Sequence, residues 1–206
     1  MSIKPNAETI SKLAESYDII PISKEIYADV ITPISLLRRI SNGYQRFFLL
    51  ESIEGGEKWG RYSFLGFDPI MRITCKNGTV TLERDGEQSQ IEEEPFAALR
   101  GLMHEYQAPR LLDMPPFAGG LVGYFAYSMI GYCEPTLKLS ESEMDDYDFM
   151  LFDKVIAYDH LKQKILIIVN MKTDNVLENY GKAVSDIENL SAFITDSMPL
   201  TQKEMD

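Results

Sequence analysis

Phe47-Phe48-Leu49-Leu50 runs without a break into Glu51-Ser52. A carboxylate and a hydroxyl at the end of an apolar strand either leave it into solvent or line a pocket. Strand alternation puts Leu50 and Ser52 on one face and Leu49 and Glu51 on the other. Trp59, Arg61 and Tyr62 follow a short step later. If these groups share a pocket, its chemistry suits a zwitterionic aromatic molecule. The carboxylate would meet an ammonium, the hydroxyl and guanidinium a carboxylate, and apolar walls would hold a ring.

Other chemistry-bearing patterns read more plainly. Gly55-Gly56 is followed by Glu57-Lys58-Trp59-Gly60 and a strand. A phosphate loop needs a glycine-rich turn opening onto a helix, so a hairpin connection is the better reading. Gly119-Gly120-x-x-Gly123 lies inside a strand-like run and not between strand and helix, which excludes the dinucleotide fingerprint. Glycines there mark either close packing or a surface shared with a ligand or another domain. Asp145-Asp146-Tyr147-Asp148 lacks the alternating ligands, glycine and distal glutamate of a calcium loop, and reads as a solvated acidic loop. His104 falls on a helix and His160 in a hairpin turn, and no nucleophilic triad can be assigned to either. Cys75 and Cys133 form no Cys-x-x-Cys pair, and read as two buried thiols in a reducing compartment.

Several elements must position these groups. Residues 6–17 read as a helix with Ile10, Leu13 and Ala14 on one face. Residues 19–27 are extended, with Pro21 arguing against a central strand. Thr32-Pro33 starts a helix carrying Ile34, Leu37 and Ile40, and Asn42-Gly43 stops it. Residues 46–53 read as a strand in the middle of a sheet, because Phe47–Leu50 is apolar on both faces. Strands follow at 61–66, 70–76, 79–84 and 87–91, as a meander turning at Asn77-Gly78 and Asp85-Gly86. Residues 92–106 are helical, with Phe96, Leu99, Leu102 and Met103 as the stripe and acids 92–94 at the N-terminus. Residues 118–127 read as a central strand. Residues 149–158 and 164–169 form a second hairpin, and Val176 to Ile194 a long amphipathic helix. Helices mixed with antiparallel hairpins make an α+β fold.

The 206 residues are 45% hydrophobic and 11% aromatic, which excludes wholesale disorder. The net charge of −12 repels phosphate backbones, so no nucleic-acid partner is expected. The chain opens with no secretory pattern, and its apolar runs fall far short of a membrane span. A cytoplasmic protein is expected.

The stretch Phe48-Leu-Leu-Glu-Ser-Ile-Glu-Gly-Gly-Glu-Lys-Trp-Gly-Arg-Tyr-Ser-Phe-Leu-Gly-Phe-Asp-Pro69 closely resembles the N-terminal region of the anthranilate synthase component I family. So do Pro116 to Tyr127 (Pro-Phe-Ala-Gly-Gly-Leu-Val-Gly-Tyr-Phe-Ala-Tyr), Asp29 to Pro33 and Phe152 to His160. The likeness runs from Tyr17 to Ile194. It implies sandwich-like antiparallel β-sheets with flanking helices. Residues 1–197 would be a regulatory N-terminal domain, and 198–206 a tail or linker to a chorismate-binding C-terminal domain outside this chain. The implied enzyme is a lyase of tryptophan biosynthesis. It converts chorismate, with ammonia drawn from glutamine, to anthranilate and pyruvate, under allosteric feedback inhibition by tryptophan. Its implied partner is a glutamine amidotransferase subunit, component II. Its Mg²⁺ and catalytic residues would lie in the C-terminal domain, leaving this chain with no cofactor, inactive by itself. The inhibitor site carried over by the resemblance comprises Leu50, Glu51, Ser52, Trp59, Gly60, Arg61 and Tyr62. The sequence departs from the family at Ser128, where aspartate is usual, and at Gly131-Tyr132-Cys133-Glu134, which casts doubt on any polar contact from that turn. Two alternatives are the sister component I of aminodeoxychorismate synthase, on the folate pathway, and a free-standing module that binds an aromatic amino acid. Leu-Leu-Glu-Ser followed by Glu-Gly-Gly-Glu favours the anthranilate branch.

Overall fold

The computed structural model describes residues 2–29, 31–51, 60–134, 136–137 and 143–196. Two five-stranded antiparallel sheets carry the chain. The first has strands β1 (Ile19–Tyr27), β2 (Phe47–Leu50), β3 (Tyr62–Phe67), β9 (Lys154–Asp159) and β10 (Lys164–Lys172), in the order β1-β10-β9-β3-β2. The second has β4 (Met71–Lys76), β5 (Thr79–Arg84), β6 (Glu87–Ile91), β7 (Gly120–Phe125) and β8 (Tyr147–Phe152), in the order β6-β5-β4-β8-β7. The helices are α1 (Ala7–Leu13), α2 (Pro33–Gly43), α3 (Pro95–His104), the one-turn α4 (Ile130–Cys133) and α5 (Val176–Thr195). The fold is α+β, two antiparallel sheets with flanking helices, as the sequence indicates. Among the described residues no helix is long and apolar enough to cross a membrane.

Local chemistry explains the helix ends. The Asn6 side chain accepts from Thr9 N–H and starts α1. Thr32 and Ser35 form a reciprocal capping box at α2, with Pro33 in the first turn. Arg39 of α2 donates to the Phe193 and Ile194 carbonyls, which the end of α5 leaves without helical partners. Asn77-Gly78 and Asp85-Gly86 adopt positive φ at both positions, as tight hairpins require.

One face of the first sheet packs beneath α2 and α5. Leu36 and Ile40 of α2 and Ala183, Ile187, Leu190 and Ile194 of α5 meet Ile20, Ile22, Leu65, Ile156, Ile165 and Ile167 there. A smaller group on the opposite face joins Ala157, Leu166 and Ile168 to Phe64, Met114 and Ala118. With both faces covered, β10 is buried continuously from Ile165 to Val169. The second sheet buries Met71, Ile73 and Cys75, alternate residues of β4, against Ala98, Leu99 and Leu102 of α3.

The structure corrects several expectations. β2 lies at a sheet edge, not in its middle, and Leu50 is 46% exposed. An unbroken apolar run shows that a strand is hydrophobic, not how many neighbours flank it. The run 149–158 is two strands: the chain leaves the second sheet after Phe152 and enters the first at Lys154, with Asp153 as the crossing. β7 is likewise an edge strand. A Cβ at Gly123 would run into the Asp148 carbonyl of β8, so close strand approach explains that glycine. Met103 and Ile34 are exposed, which rotates the buried stripes of α3 and α2 by about one position. Cys75 is buried, but Cys133 is exposed.

Candidate functional site

The end of β2, the start of β3 and the β9–β10 turn meet at one end of the first sheet. Register brings them together. Leu50 pairs with Phe64 and Tyr62 with Asp159, and the ladder continues as His160 N–H donates to Arg61 O at 2.9 Å.

The site residues divide between the two faces at this edge. On one face Tyr62 stacks on Phe64, with ring centroids 5.8 Å apart, and the Arg61 guanidinium lies 4.8 Å from the Tyr62 centroid. Leu50 stands exposed beside them. Arg61 is held by Asp159, with Nη2 2.6 Å and Nε 3.1 Å from its carboxylate. Asp159 is 1% exposed and also accepts from the N–H groups of Leu161 and Lys162, so it shapes the turn as well. Burial pushes its carboxyl up, but the Arg61 guanidinium and those two N–H groups outweigh burial and hold it below the usual carboxylate range. Arg61 therefore lines this face as a paired cation. Burial raises the Tyr62 phenol, and the Asp159 charge adds to it.

On the other face Glu51 reaches Ser63. The Ser63 hydroxyl, fully buried, lies 3.3 Å from Glu51 Oε1 and 2.7 Å from His160 Nε2. The His160 ring packs against Tyr158 with centroids 4.7 Å apart. Gly60 sits half-buried just before β3. Ser52 and Trp59, with Gly55-Gly56, lie outside the described residues.

Ser63, Asp159 and His160 are the members of this cluster that sequence reasoning missed. Arg-Tyr-Ser and Tyr-Asp-His are visible in the chain, but only the pairing of β3 with β9 places them side by side.

A cleft of about 390 Å³ opens where β8 passes to β9, lined in part by Gly119, Gly120, Asp153, Asn170 and Asp186. Burial, with the charge of Asp186, raises the Asp153 carboxyl against the opposing effect of Lys154. None of Leu50, Glu51, Gly60, Arg61 and Tyr62 lines it. Gly119 also packs closely, since a Cβ there would meet the Asn170 side chain.

The acidic segment is not solvated throughout, contrary to its composition. Asp146 is buried and accepts from Ser128 Oγ at 2.7 Å and Tyr132 Oη at 2.8 Å. Asp148 forms a two-pronged pair with Arg72 at 2.7 and 2.8 Å. Ser128, where the sequence departs from the family, does make a polar contact. Burial pushes the Cys75 thiol, beside Asp146, up to about 11. Among the described residues no three His, Cys, Asp or Glu side chains converge to hold a metal ion.

The chain is 41% identical to anthranilate synthase component 1 of Acetivibrio thermocellus over 197 residues, covering 94% of this chain and 40% of that one. It is 32% identical to the protein of that name from Acinetobacter calcoaceticus, covering 91% of this chain and 39% of the other. With that of Aquifex aeolicus the identity is 30%, over 100% of this chain and 43% of the other. The chain thus spans about two fifths of the length of the curated relatives it matches. The crystal structure of anthranilate synthase component I from Streptococcus pneumoniae matches the fold with a TM-score of 0.50 at 24% identity, over 83% of this chain and 38% of that one. No family model matches the chain.

Proposed function

Since the chain belongs to the anthranilate synthase component I family, we propose that it is the regulatory portion of an enzyme that makes anthranilate and pyruvate from chorismate. In this reading the ammonia comes from glutamine through an amidotransferase subunit. The catalytic and Mg²⁺-binding groups belong to the part of such enzymes that this chain does not span. Tryptophan, the inhibitor, sits at the β2–β3 end of the first sheet, against Leu50, Glu51, Ser52, Trp59, Gly60, Arg61 and Tyr62. Its ammonium meets Glu51, and apolar walls hold its indole. Binding there favours a less active arrangement of this portion against the rest, a coupling of two sites through one equilibrium.

The observation that carries this reading is the 41% identity across 94% of the chain. The exposed position of Glu51 at the end of an edge strand supports the site. The test uses the complete enzyme that contains these residues. Glu51→Lys and Ser52→Phe are expected to abolish tryptophan inhibition while leaving the uninhibited rate within about twofold, as loss of an effector's differential binding requires. Full sensitivity in both variants would overturn the assignment.

A further inference from the structure

Resting on that reading of Glu51, we propose that His160 and Ser63 are positioning residues that aim the Glu51 carboxylate at the ligand's ammonium. Proton bookkeeping sets the direction of the relay. Ser63 has one hydroxyl proton and two neighbours, Glu51 Oε1 at 3.3 Å and His160 Nε2 at 2.7 Å. An ionised carboxylate can only accept. If the serine proton went to the imidazole, the hydroxyl lone pairs would face the carboxylate lone pairs. The satisfied arrangement has His160 Nε2–H donating to Ser63 Oγ, and Ser63 O–H donating to Glu51 Oε1. That leaves Glu51 Oε2 for a ligand.

Each member is fixed by the fold. Ser63 lies inside β3, fully buried, with Tyr158 as its ladder partner. His160 opens the β9–β10 turn, tied by its N–H to Arg61 O and by its carbonyl to the Gln163 side chain at 2.7 Å. The Tyr158 ring packs against it. Glu51 follows the last residue of a four-residue edge strand and is exposed. A glutamate there has three free torsions, and its hydrogen-bond partner among the described residues is Ser63. The relay hands the rigidity of the β3–β9 pair to a side chain that would otherwise be ordered only when ligand arrives. It also fastens Glu51 to the turn that carries Asp159, so both faces of the site share one support.

The experiment measures the tryptophan concentration that half-inhibits the complete enzyme. Ser63→Ala and His160→Leu are each expected to raise it about three- to tenfold, the factor that ordering one rotamer-rich side chain is worth, with the uninhibited rate unchanged. His160→Gln, whose amide N–H can replace the imidazole donor, is expected to return the value to within about twofold of wild type. A merely structural imidazole would show no such rescue. Glu51→Gln is run beside them. If it abolishes sensitivity while Ser63→Ala and His160→Leu stay within twofold of wild type, the relay is overturned and the site stands. If Glu51→Gln leaves sensitivity intact, the site assignment fails and the relay with it.

Discussion

Asp159 sits between two demands, with Arg61 on one side and the N–H groups of Leu161 and Lys162 on the other. Both partners stabilise its charged form, and the net effect is a carboxyl held low despite burial. Removing the partner is worse than removing the charge, because it strands a buried carboxylate. Arg61 is partly exposed, so the loss is smaller than for a fully buried pair. Arg61→Ala should lower stability more than Asp159→Asn, read from urea midpoints. An equal or reversed order would contradict the pairing. The acid side follows from the sign. Asp146 is also held low, since burial is outweighed by hydrogen bonds from Ser128, Tyr132, the Gly78 N–H and Cys75. Carboxyls lowered on folding contribute stability that is complete above the unfolded aspartate value of about 3.9, and lose it as pH falls through their folded values. The urea midpoint should therefore drop below about pH 4, and less steeply in Asp146→Asn and Asp159→Asn than in wild type. Parallel pH profiles would show that these groups do not carry the acid sensitivity.

Elements were legible where their signals are local. Thr32-Pro33, Asn77-Gly78 and Asp85-Gly86 each contain their own reason for a cap or a turn, and the structure places all three as read. The capping box makes a plain prediction: Thr32→Ala should cost about 1 kcal/mol. Sheet membership was not legible, because alternation names the face of a side chain but not the strand beside it. Hence β2 and β7 read as interior strands and lie at edges, and one apolar run from Phe149 to Tyr158 serves two sheets. The site shows the same division. Glu51, Arg61 and Tyr62 stand out by residue type, whereas Ser63, Asp159 and His160 join them only through the β3–β9 register. Gly123 marks where pairing is closest. Gly123→Ala would force a methyl against the Asp148 carbonyl and should cost about 2 kcal/mol or more, in the range of overpacking. A stability within 0.5 kcal/mol of wild type would mean that β7 can move away from β8 at little cost.

The two sheets keep largely separate cores, so what makes them one molecule is a short set of crossing contacts. The Phe152 ring, at the end of β8, lies 4.8 Å from Phe48 of β2. Phe117 bridges Phe48 and Phe64 at 6.1 and 5.6 Å. Arg46 reaches from the start of β2 to Glu83 of β5. The polar centre of this seam is Asn170 on β10. Its Nδ2 donates to Ala118 O at 2.7 Å and to Asp153 O at 2.9 Å, while its N–H also meets Asp153 O. It thus ties the crossing residue and the approach to β7 onto the first sheet. Asn170→Ala removes both side-chain bonds and leaves the Ala118 carbonyl short of that donor, at a cost of about 1–3 kcal/mol. For a chain of this size that is a fall in Tm of about 2–12 °C. The shape of the transition is the sharper readout. Wild type should unfold in one calorimetric transition, because the seam makes each core's loss expose the other. Asn170→Ala combined with Phe117→Ala should broaden or split it. A double variant that still melts in one sharp transition would place the coupling in the covalent crossing at Asp153 and the Arg46–Glu83 pair instead.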